Sequence, residues 1–211
     1  MTRILVADDH PLFREALSAA LEPYFKDAEI LEADSLESMM TVLTENHHID
    51  LLLLDLNMPG GEYFNGLISV KDIYPELPVA VISANESIDV VAQVMGLGAE
   101  GFIPKSSPTK QIAEAIVTIK GGENWVPEEM KADLENVDEE LTQLLKRFRE
   151  LTPKQIQVLS FLRAGLMNKQ IAHEMNVTEA TIKAHISAIL RKLEINTRTQ
   201  AVLLMDKLQF S

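Results

Sequence analysis

Six residues of this 211-residue chain have the types and spacing for phosphoryl chemistry. Asp8 and Asp9 follow the apolar run Ile4 to Ala7, and Asp55 and Asn57 follow the run Leu51 to Leu54. Ser83 ends the run that starts at Val79, and Lys105 follows Gly101 to Pro104. Three carboxylates in one cleft repel one another unless a cation neutralises them. An all-oxygen donor set suits a hard ion such as Mg²⁺, which keeps waters and an open position for a phosphate oxygen. An ionised carboxylate facing that position can attack phosphorus, since aspartate serves as a covalent phosphoryl acceptor. The transfer asks little beyond positioning and charge neutralisation. Asp55 is the expected nucleophile, and Asp8 and Asp9 are the expected metal ligands. Ser83 offers a hydroxyl with small Ala84 behind it, and Lys105 supplies a point charge that can pair with an added phosphoryl oxygen. His10 and His47-His48 are expected to be solvated loop residues and are assigned no metal.

Such convergence needs a scaffold that brings several strand ends together. Arg3–Ala7, Glu29–Ala33, Asp50–Leu54, Val79–Ser83 and Gly101–Pro104 are expected strands, with helical patterns between them at Pro11–Leu21, Leu36–Glu45 and Ile88–Leu97. The LLLL and VAVI runs are continuous rather than alternating, as in central strands of a parallel sheet covered on both faces. Repeated strand and helix predicts a flavodoxin-like, doubly wound α/β domain with a five-stranded parallel sheet over residues 1–120. In such sheets ligands bind at the carboxyl ends of the strands, near the switch point in strand order.

Composition narrows the function classes. There is no Cys, which excludes disulfides, thiolate nucleophiles and Cys-ligated metals. No apolar run approaches the ~20 residues of a membrane span, and Asp8-Asp9 interrupt the one early apolar stretch, so a cytoplasmic chain without a signal peptide is expected. The net charge of −13 is unevenly spread: residues 1–120 carry −12, 121–150 carry −5 and 151–211 carry +4. An acidic body joined to a basic end suggests two domains with different partners. Between them, residues 121–150 read as a linker. Gly121-Gly122 breaks the preceding helix, and Glu128–Glu150 carries apolar residues in steps of 3 and 4, which predicts one amphipathic helix.

Residues 151–211 read as all helix. Thr152-Pro153-Lys154-Gln155 is a capping box, and Thr197 with Gln200 repeats its spacing. A short helix from Asn168, a turn at Asn176-Val177 and a longer helix capped by Thr178 make a helix-turn-helix candidate. Ile171, Ala172, Met175, Val177 and Ile182 are expected between the two helices. Thr181, Lys183, Ala184 and Ser187 are expected to point outward, where a helix in the major groove reads base edges. His185 falls within the same helix and joins the candidate DNA contacts. Lys169, Arg191, Lys192 and Arg198 are expected at phosphates, with Asn168, Thr152 and Thr178 as donors at helix starts.

The spelling of both halves resembles a known family. ADDH (7–10), LLLDLNMPG (52–60), VISA (81–84) and GFIPKS (101–106) resemble a response-regulator receiver domain. LTPKQIQVL, GLMNKQIA, VTEATIKAHISAILRKL and NTRTQAV resemble the LuxR-type DNA-binding domain. Together they are similar to the NarL/FixJ family of transcription regulators. The resemblance implies Mg²⁺ on Asp9, Asp55 and the backbone carbonyl of Asn57. It implies Ser83 and Lys105 at the phosphoryl group, and Phe102, three residues before the lysine, as an aromatic that turns inward on activation. It also implies a sensor histidine kinase, promoter DNA and RNA polymerase as partners, and a homodimer on phosphorylation. Four departures stand out. The loop 59–66 is longer than usual, Gln155 replaces a usual Glu and loses its salt bridge, Met167 replaces a usual Ser and moves the helix cap to Asn168, and Glu194 stands where Gly is common.

The resulting expectation is a transcription regulator switched by phosphorylation of Asp55, not an enzyme acting on outside substrates, though it can catalyse its own phosphorylation and dephosphorylation. Two alternatives stay open: a phosphorylation-dependent module whose helical domain binds protein, and a phosphoester hydrolase. Against the second stands Asn57, where such an enzyme needs a proton donor.

Overall fold

The computed structural model describes residues 2–46, 48–59 and 64–208. His47 and residues 60–63 of the long loop therefore lie outside the described residues. The chain divides into two compact units, Met1–Asp138 and Glu139–Ser211.

The first unit alternates strand and helix: β1 Thr2–Ala7, α1 Pro11–Leu21, β2 Ala28–Ala33, α2 Leu36–Glu45, β3 Leu51–Asp55, α3 Asn65–Ile73, β4 Val79–Ser83, α4 Ile88–Gly96, β5 Gly101–Pro104, α5 Thr109–Lys120 and α6 Glu128–Glu135. The strands form one parallel sheet in the order β2-β1-β3-β4-β5, the flavodoxin-like arrangement. Its two uninterrupted apolar strands, β3 and β4, are interior and buried at every residue. Covering both faces removes the alternation that a half-exposed strand would show. On one face Ile4, Val6, Leu51, Leu53, Ala80, Ile82 and Ile103 pack against Leu17 and Leu21 of α1 and Ile112, Ile116 and Ile119 of α5. Strand alternation turns Leu52, Leu54, Val81 and Phe102 to the other face.

The edge strand β5 is closed by the segment after α5. Trp125 donates its N–H to the Glu100 carbonyl at 2.9 Å and accepts from the Phe102 N–H at 3.0 Å, so it pairs beside Gly101. Gly101 is required there by close approach. A Cβ on it would lie 2.3 Å from Ile119 Cδ1 and 3.2 Å from the Trp125 carbonyl oxygen. Ile119 is fully buried and has little room to yield. Gly101→Ala should therefore destabilise the unit by about 1–3 kcal/mol, read as a lower urea midpoint in Trp125 fluorescence.

The segment expected to form one helix over Glu128–Glu150 is two helices, α6 and then α7 Glu139–Arg149. Asn136 ends α6, and its side-chain amide folds back onto the Ala132 carbonyl at 2.7 Å. α6 packs on α4 of the first unit, whereas α7 belongs to the second.

The second unit contains α7, α8 Pro153–Arg163, α9 Asn168–Glu174, α10 Glu179–Lys192 and α11 Arg198–Lys207. The two expected capping boxes form, Thr152 with Gln155 and Thr197 with Gln200. Leu144, Leu145, Phe148, Ile156, Leu159, Ile171, Ile182, Ile189, Leu193, Ala201 and Met205 are buried. Arg147 pairs with Glu194 at 2.6 Å and Lys207 with Glu140 at 3.1 Å, tying α7 to the segments around α10 and α11. Among the described residues no helix is long and apolar enough to cross a membrane.

Candidate functional site: an acidic pocket and an exposed helix face

At the carboxyl edge of the sheet, β1 delivers Asp8 and Asp9, β3 delivers Asp55, and the loop after β5 delivers Lys105. Asp8 and Asp55 are almost fully buried, and Asp9 is half-buried. The Lys105 ammonium lies 2.6 Å from Asp8 Oδ2 and donates to Asp55 Oδ2 at 3.0 Å. Its Nζ sits 4.7 Å above the ring centroid of Phe13, a cation–π contact. Asp55 Oδ1 is buried and has no hydrogen-bond partner among the described residues. Asp8 Oδ2 and Asp9 Oδ1 make ion-pair contacts, to Lys105 and His10 respectively, without hydrogen-bond geometry. Arg14 on α1 steadies the edge from behind, donating to the Asp8 carbonyl at 2.5 Å and to Glu32 at 2.9 Å.

Burial pushes the Asp55 carboxyl above the usual carboxylate range; hydrogen bonding and charge from Lys105 offset this only in part, and the charge of Asp8 adds to it. The ammonium's attraction is divided between two acids. Burial alone would lower the Lys105 ammonium, but Asp8 and Asp55 outweigh it and hold it above the ordinary lysine value. Three carboxylates against one ammonium leave the pocket with an excess negative charge. An unpartnered, buried carboxylate oxygen in an oxygen-rich pocket is the chemistry that a hard divalent cation satisfies.

Ser83 is fully buried at the end of β4, beside β3. Its carbonyl accepts the Lys105 N–H at 2.8 Å, and its hydroxyl accepts the Asn85 N–H at 3.1 Å. Phe102 is fully buried on β5, so it already holds the inward position that the resemblance reserved for the activated state. Asn57 is exposed, and its backbone is the smallest influence on the Asp55 carboxyl, acting to favour the ionised form.

His10, set aside above as a solvated loop residue, is part of this cluster. Its N–H donates to Asp8 Oδ1 at 2.9 Å, and its Nδ1 lies 3.1 Å from Asp8 Oδ1 and 2.7 Å from Asp9 Oδ1. One potential ligand atom from each of Asp8, Asp9, His10 and Asp55 falls within a 4.8 Å span. Adjacency in ADDH was the available signal. Phe13 and Arg14 gave none, because their roles depend on where α1 starts relative to β5 and β2.

In the second unit, α9 and α10 form the expected pair. Lys183, Ala184, Ser187 and Arg191 are exposed along one stripe of α10, and His185 and Thr181 flank it half-buried. Thr178 caps the helix, accepting the Thr181 N–H at 3.1 Å, and the two hydroxyls are 2.8 Å apart. Asn168 and Lys169 open α9.

Several expectations need correction. Val177 is not between the helices but 39% exposed. It follows Asn176 in the left-handed region (φ 51°), and its N–H closes α9 on the Ala172 carbonyl at 2.9 Å, a Schellman ending. Lys192 and Arg198, expected at phosphates, are bonded within their own unit. Lys192 donates to the Glu150 carbonyl and to Gln155 Oε1, and Arg198 to the Leu166 carbonyl. Gln155 thus keeps a cation contact in neutral form. The start of α9 is capped at Met167, not Asn168, and Gln170 Oε1 accepts the Met167 N–H at 2.7 Å. Glu194 takes the left-handed conformation (φ 55°) that Gly would adopt more easily, and it closes α10 in the same Schellman manner.

A receiver-type pocket on a flavodoxin-like sheet, followed by a helix-turn-helix unit, defines a class of signalling regulator. Residues 4–117 match the response regulator receiver domain, and residues 149–205 match the luxR family of bacterial regulatory proteins. The chain belongs to the NarL/FixJ response regulators, transcription regulators that join these two domains. It is 39% identical to the glycerol metabolism activator of Pseudomonas putida, covering all of this chain and 98% of that protein. It is 30% identical to the oxygen regulatory protein NreC of Staphylococcus epidermidis, covering 95% of this chain and 94% of that protein. The structure of RcsB from Salmonella enterica serovar Typhimurium, bound to promoter rprA with a phosphomimetic, shares the fold at a TM-score of 0.58 and 22% identity, covering 99% of this chain and all of that one.

Proposed function

We propose that Asp55 accepts a phosphoryl group from a sensor histidine kinase and that this modification controls promoter binding by the second domain. The observation that carries this reading is Asp55 Oδ1, buried, unpartnered and beside a cation held on the other oxygen. Oδ1 forms the new O–P bond as the donor's bond to phosphorus breaks, giving an acyl phosphate. Asp8, Asp9, Asp55 and the Asn57 carbonyl would hold Mg²⁺, which when bound supplies charge neutralisation at the phosphoryl oxygens. Lys105 then moves from sharing two carboxylates to pairing with the added group, and Ser83 donates its hydroxyl to it. Phe102 responds as the switch residue in the layer beneath.

No external substrate is turned over; self-phosphorylation and self-dephosphorylation are the only chemistry. The domains on this reading are a receiver at 1–120, a linking region at 121–150 and a DNA-binding domain at 151–211. Working in the cytoplasm, the phosphorylated chain pairs as a homodimer on two half-sites and contacts RNA polymerase. Lys183, Ala184, His185 and Ser187 face bases; Lys169, Arg191, Asn168, Thr178 and Thr181 support the docking.

Incubation with Mg²⁺ and a small phosphodonor should add the mass of one phosphoryl group to the wild type and none to Asp55→Ala. Gain in neither protein, or in both, sinks the assignment. For the second domain, Lys183→Ala should weaken promoter binding by about 1–3 kcal/mol and relax specificity at one base position, with the salt slope of the affinity little changed. A slope that falls by about 1 with specificity intact would place Lys183 on a phosphate instead.

A further inference from the structure

We propose that His10 makes the acidic pocket a mixed nitrogen–oxygen site that binds borderline divalent transition ions, of the Co²⁺ and Zn²⁺ class, through the imidazole as well as the carboxylates. The inference rests on the reading of the pocket as a divalent-cation site and adds a ligand to it. Three observations carry it. First, His10 Nδ1 and one carboxylate oxygen each from Asp8, Asp9 and Asp55 fall within 4.8 Å of one another, a spacing at which one ion can touch all four. Second, Asp55 Oδ1 is unpartnered on a residue that is 2% exposed, so the site has an unsatisfied anionic donor aimed into it. Third, the imidazole is 65% exposed while Asp8 and Asp55 are buried, so His10 stands at the solvent side, where an ion enters.

The chemistry separates two classes of ion. Mg²⁺ prefers oxygen ligands and retained waters and gains little from an imidazole. Co²⁺, Ni²⁺ and Zn²⁺ accept imidazole readily and rank above the harder ions at any nitrogen-containing site. Without an ion, His10 Nδ1 is hydrogen-bonded to Asp8 Oδ1 and lies 2.7 Å from Asp9 Oδ1, which keeps the ring beside the carboxylates with which it would share the metal. Asp9 and His10 are neighbours on one loop, so the pair needs no further element to position it. Lys105 stays on Asp8 Oδ2 and Asp55 Oδ2, and Asp8 Oδ1 is the oxygen that meets the histidine.

The test is calorimetric titration of the tag-free full-length protein with Co²⁺ and, separately, with Mg²⁺, without any phosphodonor. In His10→Ala the Co²⁺ affinity should fall about tenfold or more, while the Mg²⁺ affinity stays within about threefold of wild type. The visible ligand-field band of bound Co²⁺ should move to longer wavelength as water replaces imidazole. His10→Asn keeps a side-chain hydrogen-bond donor but offers no imidazole, so it should behave like His10→Ala. Asp55→Asn should weaken both ions, which assigns the binding to this pocket rather than to another histidine. An equal loss of both ions in His10→Ala, or recovery of Co²⁺ affinity in His10→Asn, would overturn the proposal and reduce His10 to an orienting contact. Wild-type protein that binds Mg²⁺ but shows no dependence on His10 also overturns it and leaves the phosphoacceptor reading intact. Failure to bind either ion would remove both.

Discussion

Truncating Phe148 to alanine is expected to destabilise the carboxyl-terminal unit by about 3–5 kcal/mol. Phe148 is fully buried on α7, with Leu144 and Leu145 beside it and Leu151 just beyond. The loss combines removed apolar burial with a cavity the remaining side chains cannot fill by themselves. Replacing an aromatic on a helix that only linked two domains would cost less than about 1 kcal/mol, as for ordinary surface positions. Denaturation by urea distinguishes the two cases. The single Trp, Trp125, lies in the amino-terminal unit, so its fluorescence reports that unit. The far-UV circular dichroism of the second unit should move to lower urea in Phe148→Ala. An unmoved dichroism transition would show that α7 is not part of the second core. A fragment beginning at residue 151 should be less stable than one beginning at 139 for the same reason.

The second large effect is expected at Lys105. Lys105→Met removes the cation shared by Asp8 and Asp55 and should cost about 2–4 kcal/mol near neutral pH, since breaking a buried pair leaves an uncompensated charge. The pH dependence follows from the two shifts. The Lys105 ammonium is held above its unfolded value, so its contribution is fully present below the ordinary lysine range and is lost as pH rises through the folded value. The Asp55 carboxyl is raised, so the folded state takes up its proton at higher pH than the unfolded chain does. Stability that comes from this protonated form is present at low pH and is lost as pH rises through the folded value. The penalty of Lys105→Met should therefore shrink as pH falls toward the carboxylate range, where protonation relieves the repulsion. Thermal unfolding at about pH 7.5 and about pH 5 checks this. At neutral pH, Mg²⁺ at about one hundred times its dissociation constant should return up to about 2.7 kcal/mol in the variant. A penalty that is independent of both pH and Mg²⁺ would mean that the methylene stem on Phe13, not the charge, is what Lys105 contributes.

The elements that position the pocket were legible in sequence for a definite reason. A strand covered on both faces is apolar along its length, as Leu51–Leu54 of β3 and Val79–Ile82 of β4 are; Asp55 and Ser83, which end these runs, then mark the open edge of the sheet. The capping boxes at Thr152 and Thr197 were legible because the motif is local in sequence. The break between α6 and α7 was not, because the apolar steps of 3 and 4 continue across Asn136–Asp138 and periodicity cannot register a change of direction. Nor does an amphipathic stripe say what it packs against, so α7 read as a linker. Lys192 and Arg198 read as free cations because their carbonyl partners, Glu150 and Leu166, carry no side-chain signal. His10 was adjacent to the acids in sequence, yet its ring orientation is set by the turn into α1.

Lys105 also has a mechanical meaning. It is anchored just past β5, yet its ammonium rests on acids carried by β3 and β1, so the side chain reaches over β4. Backbone ladders join only adjacent strands, whereas this contact spans three inter-strand gaps at one end of the sheet. It acts as a tie-rod fixed at the outermost strand. A change in charge on Asp55 would therefore change the load on a tie whose far end is the outermost strand, β5.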